Sequence, residues 1–165
     1  AGGRMSLPSS YTLRVAGVAD AQLIQSQREA MFTEMGEAVQ RLERVRAVGE
    51  QWLHSALAGG RYSGFLVETG QEVIAGAGLL WQDMPPNAQT ARAVRAYLLN
   101  VYVSPPHRGQ ALARTLVQVA LTECRKRGID IVTLTASEAG RPTYERLGFG
   151  VQSEMKLLLT EQGDA

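Results

Sequence analysis

The sequence predicts an α/β (α+β) domain in which a central sheet is flanked by helices. Three observations carry that expectation. The chain has 165 residues, the usual size of one domain, and can bury a core without disulfides or a structural metal. Segments with helical apolar spacing alternate with short runs of alternating or continuous apolar character. Glycines stand at the joints, where a helix or a hairpin has to stop.

Tyr11 to Val15 alternates and reads as a first strand, with Asp20 placed to cap the helix that follows. That helix spans Ala21 to Met35 through Leu23, Ile24, Met31, Phe32 and Met35, and Gly36 breaks it. A second helix runs from Glu37 to Leu57, its apolar stripe made by Val39, Leu42, Val45, Trp52, Leu53, Ala56 and Leu57, until Gly59-Gly60 stops it. Phe65 to Thr69, Gly70-Gln71 and Val73 to Trp81 form a hairpin with a short turn. After a loop opened by Pro85-Pro86, the nearly continuous apolar run Tyr97 to Val103 predicts the central strand, buried on both faces. Ser104-Pro105-Pro106 ends it, because proline cannot donate to a ladder. Leu112, Leu116, Val119, Ala120 and Cys124 then mark a helix from Gln110 to Arg127, closed by Gly128. A buried strand over Ile129 to Thr135, a short helix over Arg141 to Leu147 and one or two strands over Phe149 to Leu159 complete the order.

Composition narrows the function classes. With 45% hydrophobic and 20% charged residues the chain is not disordered. Its 17 Lys+Arg against 16 Asp+Glu leave a net charge of +1, which argues against a nucleic acid partner. The lone Cys124 can neither close an internal disulfide nor build a Cys-rich zinc site, so a reduced, cytoplasmic setting is expected. No apolar run approaches the roughly 18 residues that a membrane span requires. Ala1-Gly2-Gly3-Arg4 lacks the layout of a signal peptide and reads as an expression scar ahead of a domain over 5–165, with its core at about 11–160. A homodimer is compatible with all of this.

Two segments carry candidate chemistry. His107-Arg108-Gly109-Gln110-Ala111-Leu112-Ala113 opens a helix directly after a buried strand. A helix N-terminus has unpaired N–H groups and partial positive charge, and Gly109 with two alanines lets a phosphate approach. The same residues would also serve a plain turn and helix packing. In Arg141-Pro142-Thr143-Tyr144-Glu145-Arg146-Leu147-Gly148-Phe149, Tyr144 can donate a proton, since an ordinary phenol is neutral below pH 10. It can equally be a packing ring. Cys124 lies on the apolar stripe of its helix and is expected to be inert. Gly76-x-Gly78 has Trp81 at the third glycine position of the dinucleotide fingerprint, and neither a phosphate-binding G-x-x-x-x-G-K-[ST] nor a G-x-S-x-G occurs. The two histidines, His54 and His107, belong to no ligand-spaced cluster, so no metal is expected, and His107 is expected to be a solvated loop residue.

Taken together, Leu99-Asn100-Val101-Tyr102-Val103-Ser104-Pro105, the Arg108-x-x-Ala111-x-Ala113 helix start and Tyr144 to Phe149 resemble the GCN5-related N-acetyltransferases (GNAT), most strongly over 97–149. The resemblance implies a mixed, mostly antiparallel twisted sheet flanked by helices. It also implies acetyl-CoA as acyl donor, held in a gap where two central strands splay apart, and direct attack by an amine acceptor. Val101 and Val103 match the strand positions whose backbone pairs with the pantetheine arm. Arg108, Gly109, Gln110, Ala111, Leu112 and Ala113 match the loop that cradles the pyrophosphate, and Tyr144 matches the general acid that protonates the departing thiolate. Ala111 departs from the usual glycine, and its methyl group is expected to crowd the pyrophosphate. Tyr97 to Val103 holds no carboxylate, which leaves Glu34, Glu37 and Glu68 as candidate bases and the general base unassigned. The alternative function is a non-catalytic acyl-CoA-binding or interaction module on the same fold. Between Arg28 and Arg61 the arginines 28, 41, 44, 46 and 61 balance the glutamates 29, 34, 37, 43 and 50, which favours an acceptor that is neutral overall or carries a carboxylate beside its amine.

Overall fold

The computed structural model describes residues 7–160, and the expected scar over 1–4 lies outside them. The described residues fall into two compact units that divide after Thr135.

The first unit opens with strand β1 (Thr12–Val15) and a 3-10 turn at Val18–Asp20, followed by helices α1 (Ala21–Glu34) and α2 (Val39–Ala58). Asp20 does stand at the N-cap of α1, but its carboxylate accepts from the Gly17 amide and from Arg14 instead of capping the helix. Strands β2 (Tyr62–Thr69), β3 (Glu72–Asp83) and β4 (Val94–Val103) follow, then a 3-10 turn at Pro105–His107, helix α3 (Leu112–Lys126) and strand β5 (Val132–Leu134). The sheet order is β1-β2-β3-β4-β5. All neighbours are antiparallel except β4 and β5, which run parallel, so the sheet is mixed and mostly antiparallel.

Strand alternation sends Tyr62, Gly64 and Leu66 to one face, where they meet Ala21, Ile24, Leu53 and Ala56 of α1 and α2. Gly78 is required there: a Cβ would collide with the Tyr62 phenol, whose hydroxyl end packs directly against Gly78. α3 covers the opposite face with Leu112, Leu116, Val117, Ala120 and Cys124, all buried, each leucine contributing about 1.5–3 kcal/mol through burial.

Several expectations need correction. The α2 stripe is narrower than its apolar residues suggest: Leu42, Leu53 and Ala56 are buried, while Val39, Val45 and Trp52 are exposed on its flank. α1 crosses α2 at Gly49, where a Cβ would strike Gln25, and this close approach fixes which side of α2 is covered. β4 is not buried on both faces. Ala96 and Leu98 are buried on the α3 side, but Tyr97 and Leu99 on the other face are only half-buried, because α1 and α2 leave that part of the sheet open.

The second unit contains helix α4 (Arg141–Arg146). Gly148, at φ 98°, ends it as a left-handed residue. The strands expected over Phe149 to Leu159 do not form: the stretch has no regular structure, and Val151, Met155, Leu157 and Leu159 are exposed. Its apolar residues have no paired strand to alternate against, so a period alone does not make a strand there.

Candidate functional site

β4 changes character along its length. Ala96, Tyr97 and Leu98 pair with Val132, Thr133 and Leu134 of β5, and the pairing stops there. From Leu99 to Val103 the strand pairs with β3 alone. A register shift sits between Gly76 and Gly78, and Asn100 takes φ 59°, so one extra residue is inserted into β4 at that point. Asparagine is among the few residues that tolerate this conformation.

The bulge decides which backbone groups face the open edge. Ala96 directs its N–H to Ile131 on the β5 side, and simple alternation from there would continue through 98, 100 and 102. Beyond the bulge, Ser104 donates to Ile74 on the β3 side, so Val103 and Val101 are the residues turned outward. The Val103 carbonyl already accepts from Arg108 Nε at 2.9 Å. Val101 and the Val103 amide remain directed at the edge.

The chain then turns into α3. Gly109 has φ 83° and Ala111, the N-cap residue, has φ 60° and ψ 23°. No side chain caps α3, and Thr115 is the residue whose amide returns to the Ala111 carbonyl at 3.0 Å. The amides of Leu112 and Ala113 therefore open the helix with no carbonyl one turn behind them. The two left-handed residues, Gly109 and Ala111, flank Gln110 and turn the chain sharply into the helix, whose free N-terminal amides are suited to an anion. Gln110 does not line it with its side chain, which donates from Nε2 to the Tyr11 hydroxyl at 2.9 Å.

Arg108 is more occupied than its sequence position suggests. Its Nη2 meets both carboxylate oxygens of Glu34 at 2.7 Å, and its guanidinium lies 5.9 Å from the Tyr102 ring centroid. The side chain braces the end of β4 against α1, and Glu34 offsets its charge. His107 is not a solvated loop residue: its Nδ1 pairs with the Tyr11 hydroxyl at 2.9 Å, with the two rings edge to face. Tyr11 thus anchors both His107 and Gln110, a role no local pattern in the sequence signals.

On the α1 side of β4 lies a polar network. Asn100 donates from Nδ2 to the Tyr62 hydroxyl at 2.8 Å and accepts from Arg28 Nη1. Burial pushes the Tyr62 phenol up to about 12. The sequence does hold a trace of this network, since Asn100 interrupts the apolar run from Leu98 to Val101, and a buried amide must find partners.

Of the candidate bases, Glu34 is held by Arg108, Glu68 by Arg14, and Glu37 is exposed. None is on β4. Within the second unit, Tyr144 is half-buried, its ring edge to face with Phe149 at 5.9 Å and close to the Gly140 backbone. Burial raises its pKa, which keeps the phenol protonated at neutral pH. Cys124 is buried and pushed up to about 11 by desolvation, as an inert thiol would be. Among the described residues no group of three or more His, Cys, Asp or Glu is placed to hold a metal, and no helix is long and apolar enough to cross a membrane.

The site thus consists of a strand that loses its neighbour halfway and leads into a helix start with no side-chain cap. The acetyltransferase (GNAT) family model matches residues 23–149, and the chain belongs to this family. It is similar to a GCN5-related N-acetyltransferase of Ralstonia eutropha JMP134, with 34% identity over 90% of this chain and 98% of that one and a TM-score of 0.87. A predicted acetyltransferase of Clostridium acetobutylicum, crystallised with acetyl-CoA, shares 25% identity over 90% of this chain and 95% of its own, at a TM-score of 0.84. The glucosamine-6-phosphate N-acetyltransferase of Arabidopsis thaliana, at 15% identity, 92% and 100% coverage and a TM-score of 0.63, shares the fold alone. A search of curated proteins finds no match to this chain.

Proposed function

We propose that the protein is an acetyl-CoA-dependent N-acetyltransferase that acts by direct attack of an amine from a small molecule or a protein. The observation that carries this reading is the continuity of the unpaired edge, Leu99 to Val103, with the uncapped start of α3. An extended chain with amide groups can add along the edge as a further strand would, and a pyrophosphate can sit on the amides of Gly109 to Ala113.

The residues divide the work. Val101 and Val103 hold the amide-containing arm through their backbone. Arg108 sets the position of the loop, while Gly109, Gln110, Ala111, Leu112 and Ala113 supply backbone N–H groups. An outward amide of β4 polarises the thioester carbonyl, which sharpens the electrophile as negative charge gathers on its oxygen. The amine nitrogen forms its bond to the acyl carbon as the carbon–sulfur bond breaks. Tyr144 gives its proton to the departing sulfur, and the amine loses its proton to a base that no carboxylate of β4 can provide. The family match favours the transferase over the binding module. The lone, buried Cys124 fits a reducing, cytoplasmic setting.

Release of free thiol from acetyl-CoA in the presence of a panel of amines tests the reading. Amine-dependent release above the rate without amine is expected. Tight CoA binding with no release for any amine would leave the non-catalytic module as the correct description.

A further inference from the structure

Arg28 stands apart from the other arginines near the sheet. It projects from α1, is half-buried, and donates from Nη1 to Asn100 at the β4 bulge. Its guanidinium carbon lies 5.1 Å from the centroid of the Phe32 ring. Among the described residues no carboxylate lies within ion-pairing distance of it. The acids of α1 are already engaged, Glu29 by Arg46 and Glu34 by Arg108. The charged or titratable groups that act on Arg28 are two phenols, Tyr62 and Tyr97, and neither balances a positive charge while protonated. Guanidinium stays charged under all ordinary conditions. A desolvated cation with no counterion is costly, and one that persists in a site calls for an anion from outside.

The geometry says which anion. Asn100 occupies one of the five N–H donors of the guanidinium, which leaves donors in the planar fork that suits a carboxylate in bidentate fashion. The surroundings are otherwise apolar or neutral: Tyr97 and Leu99 are half-buried on the same face of β4, and the Tyr97 hydroxyl is bonded to Thr135. The fork is anchored at the residue where β4 turns its backbone toward the open edge. An acceptor carboxylate held there would sit beside the same stretch of β4 whose backbone faces the open edge.

We propose that Arg28 is a specificity-determining residue that binds the carboxylate of the acceptor, so that the substrate class is amines carrying a carboxylate close to the amino group, such as amino acids. This deepens the transferase reading and rests on it. Polyamines and aminoglycosides bring only further positive charge to Arg28 and are disfavoured.

The test compares matched acceptors: α-amino acids, their α-carboxamides, and a polyamine. The wild-type enzyme is expected to prefer the carboxylate over the carboxamide by roughly 10- to 100-fold in kcat/KM, the usual worth of hydrogen bonds to a charged group. Arg28→Gln, which keeps an N–H donor for Asn100, should collapse that ratio toward one, mainly through KM. Arg28→Lys, which keeps the charge without the fork, should retain part of it. Calorimetric titration of amino acids into the CoA-saturated protein gives the second arm. Binding lost in Arg28→Gln without any turnover would uphold the carboxylate site and overturn the transferase reading. A ratio unmoved by Arg28→Gln, a wild-type preference for the carboxamide or the polyamine, or neither turnover nor binding of any amino acid would overturn the proposal. Both variants are checked for an unchanged melting midpoint, so that a purely structural loss is recognised by a fall on every acceptor with the ratio preserved, which also counts against it.

Discussion

The first and second halves of β4 are built from similar residues and do different work. Val94 to Leu98 is paired to β3 on one side and, from Ala96, to β5 on the other, and its side chains close the core under α3. Leu99 to Val103 has one neighbour, a bulge and a buried Asn100. An unpaired edge invites another extended chain, and natural proteins usually cover or disrupt such edges. Among the described residues no strand pairs with this edge, which is why the proposed function seats the acyl donor there.

The contrast can be broken by substitution. Removal of the Tyr144 hydroxyl should have the largest effect: Tyr144→Phe is expected to lower turnover about 100- to 10,000-fold while CoA affinity and the melting midpoint stay close to wild type. Retained turnover when chemistry limits the rate would remove Tyr144 from the mechanism. In the first half of β4 the loss should fall on stability. Leu98 is 2% exposed, and Leu98→Ala should cost about 2–5 kcal/mol in denaturant unfolding, with kcat per folded molecule little changed. A fall in kcat without a fall in stability would mean that the two halves are not separable.

The smallest effect belongs to the loop. Ala111 holds φ 60°, which costs a residue with a Cβ roughly 1–2 kcal/mol, and glycine gives back about 0.5–1 kcal/mol through its freer unfolded state. Ala111→Gly should therefore stabilise by about 0.5–1 kcal/mol, seen as a rise of roughly 2 °C in the melting midpoint, and CoA should bind at least as well. A drop in the midpoint would show that the Ala111 methyl makes a contact worth more than its strain.

What could be read from the sequence follows the same division. The helices and the hairpin were legible because the period of their apolar residues reports burial, the central strand because its apolar run is nearly continuous, and Gly60, Gly70 and Gly128 mark stops through backbone freedom, Gly70 with φ 62° at the turn of the hairpin. The helix start at Arg108 to Ala113 was legible as a motif. The bulge was not, since its only trace is the polar Asn100 in an apolar run. Nor were the Arg28–Asn100–Tyr62 network and the Tyr11 anchor, whose partners lie 72, 38 and 96 residues apart. Contacts at that range depend on packing, and no local pattern encodes them. The missing strands after Phe149 err in the other direction, where an apolar pattern had no neighbour to pair with.

If CoA binds as proposed, it completes the open second half of β4 as a further strand would. Amide hydrogen exchange, read residue by residue with and without CoA, tests this most directly. New protection is expected at Val101, Val103 and the Gly109 to Ala113 amides on addition of CoA, with Ala96 and Leu98, already paired to β5, unchanged. Protection confined to other parts of the chain, or equal changes in both halves of β4, would contradict it.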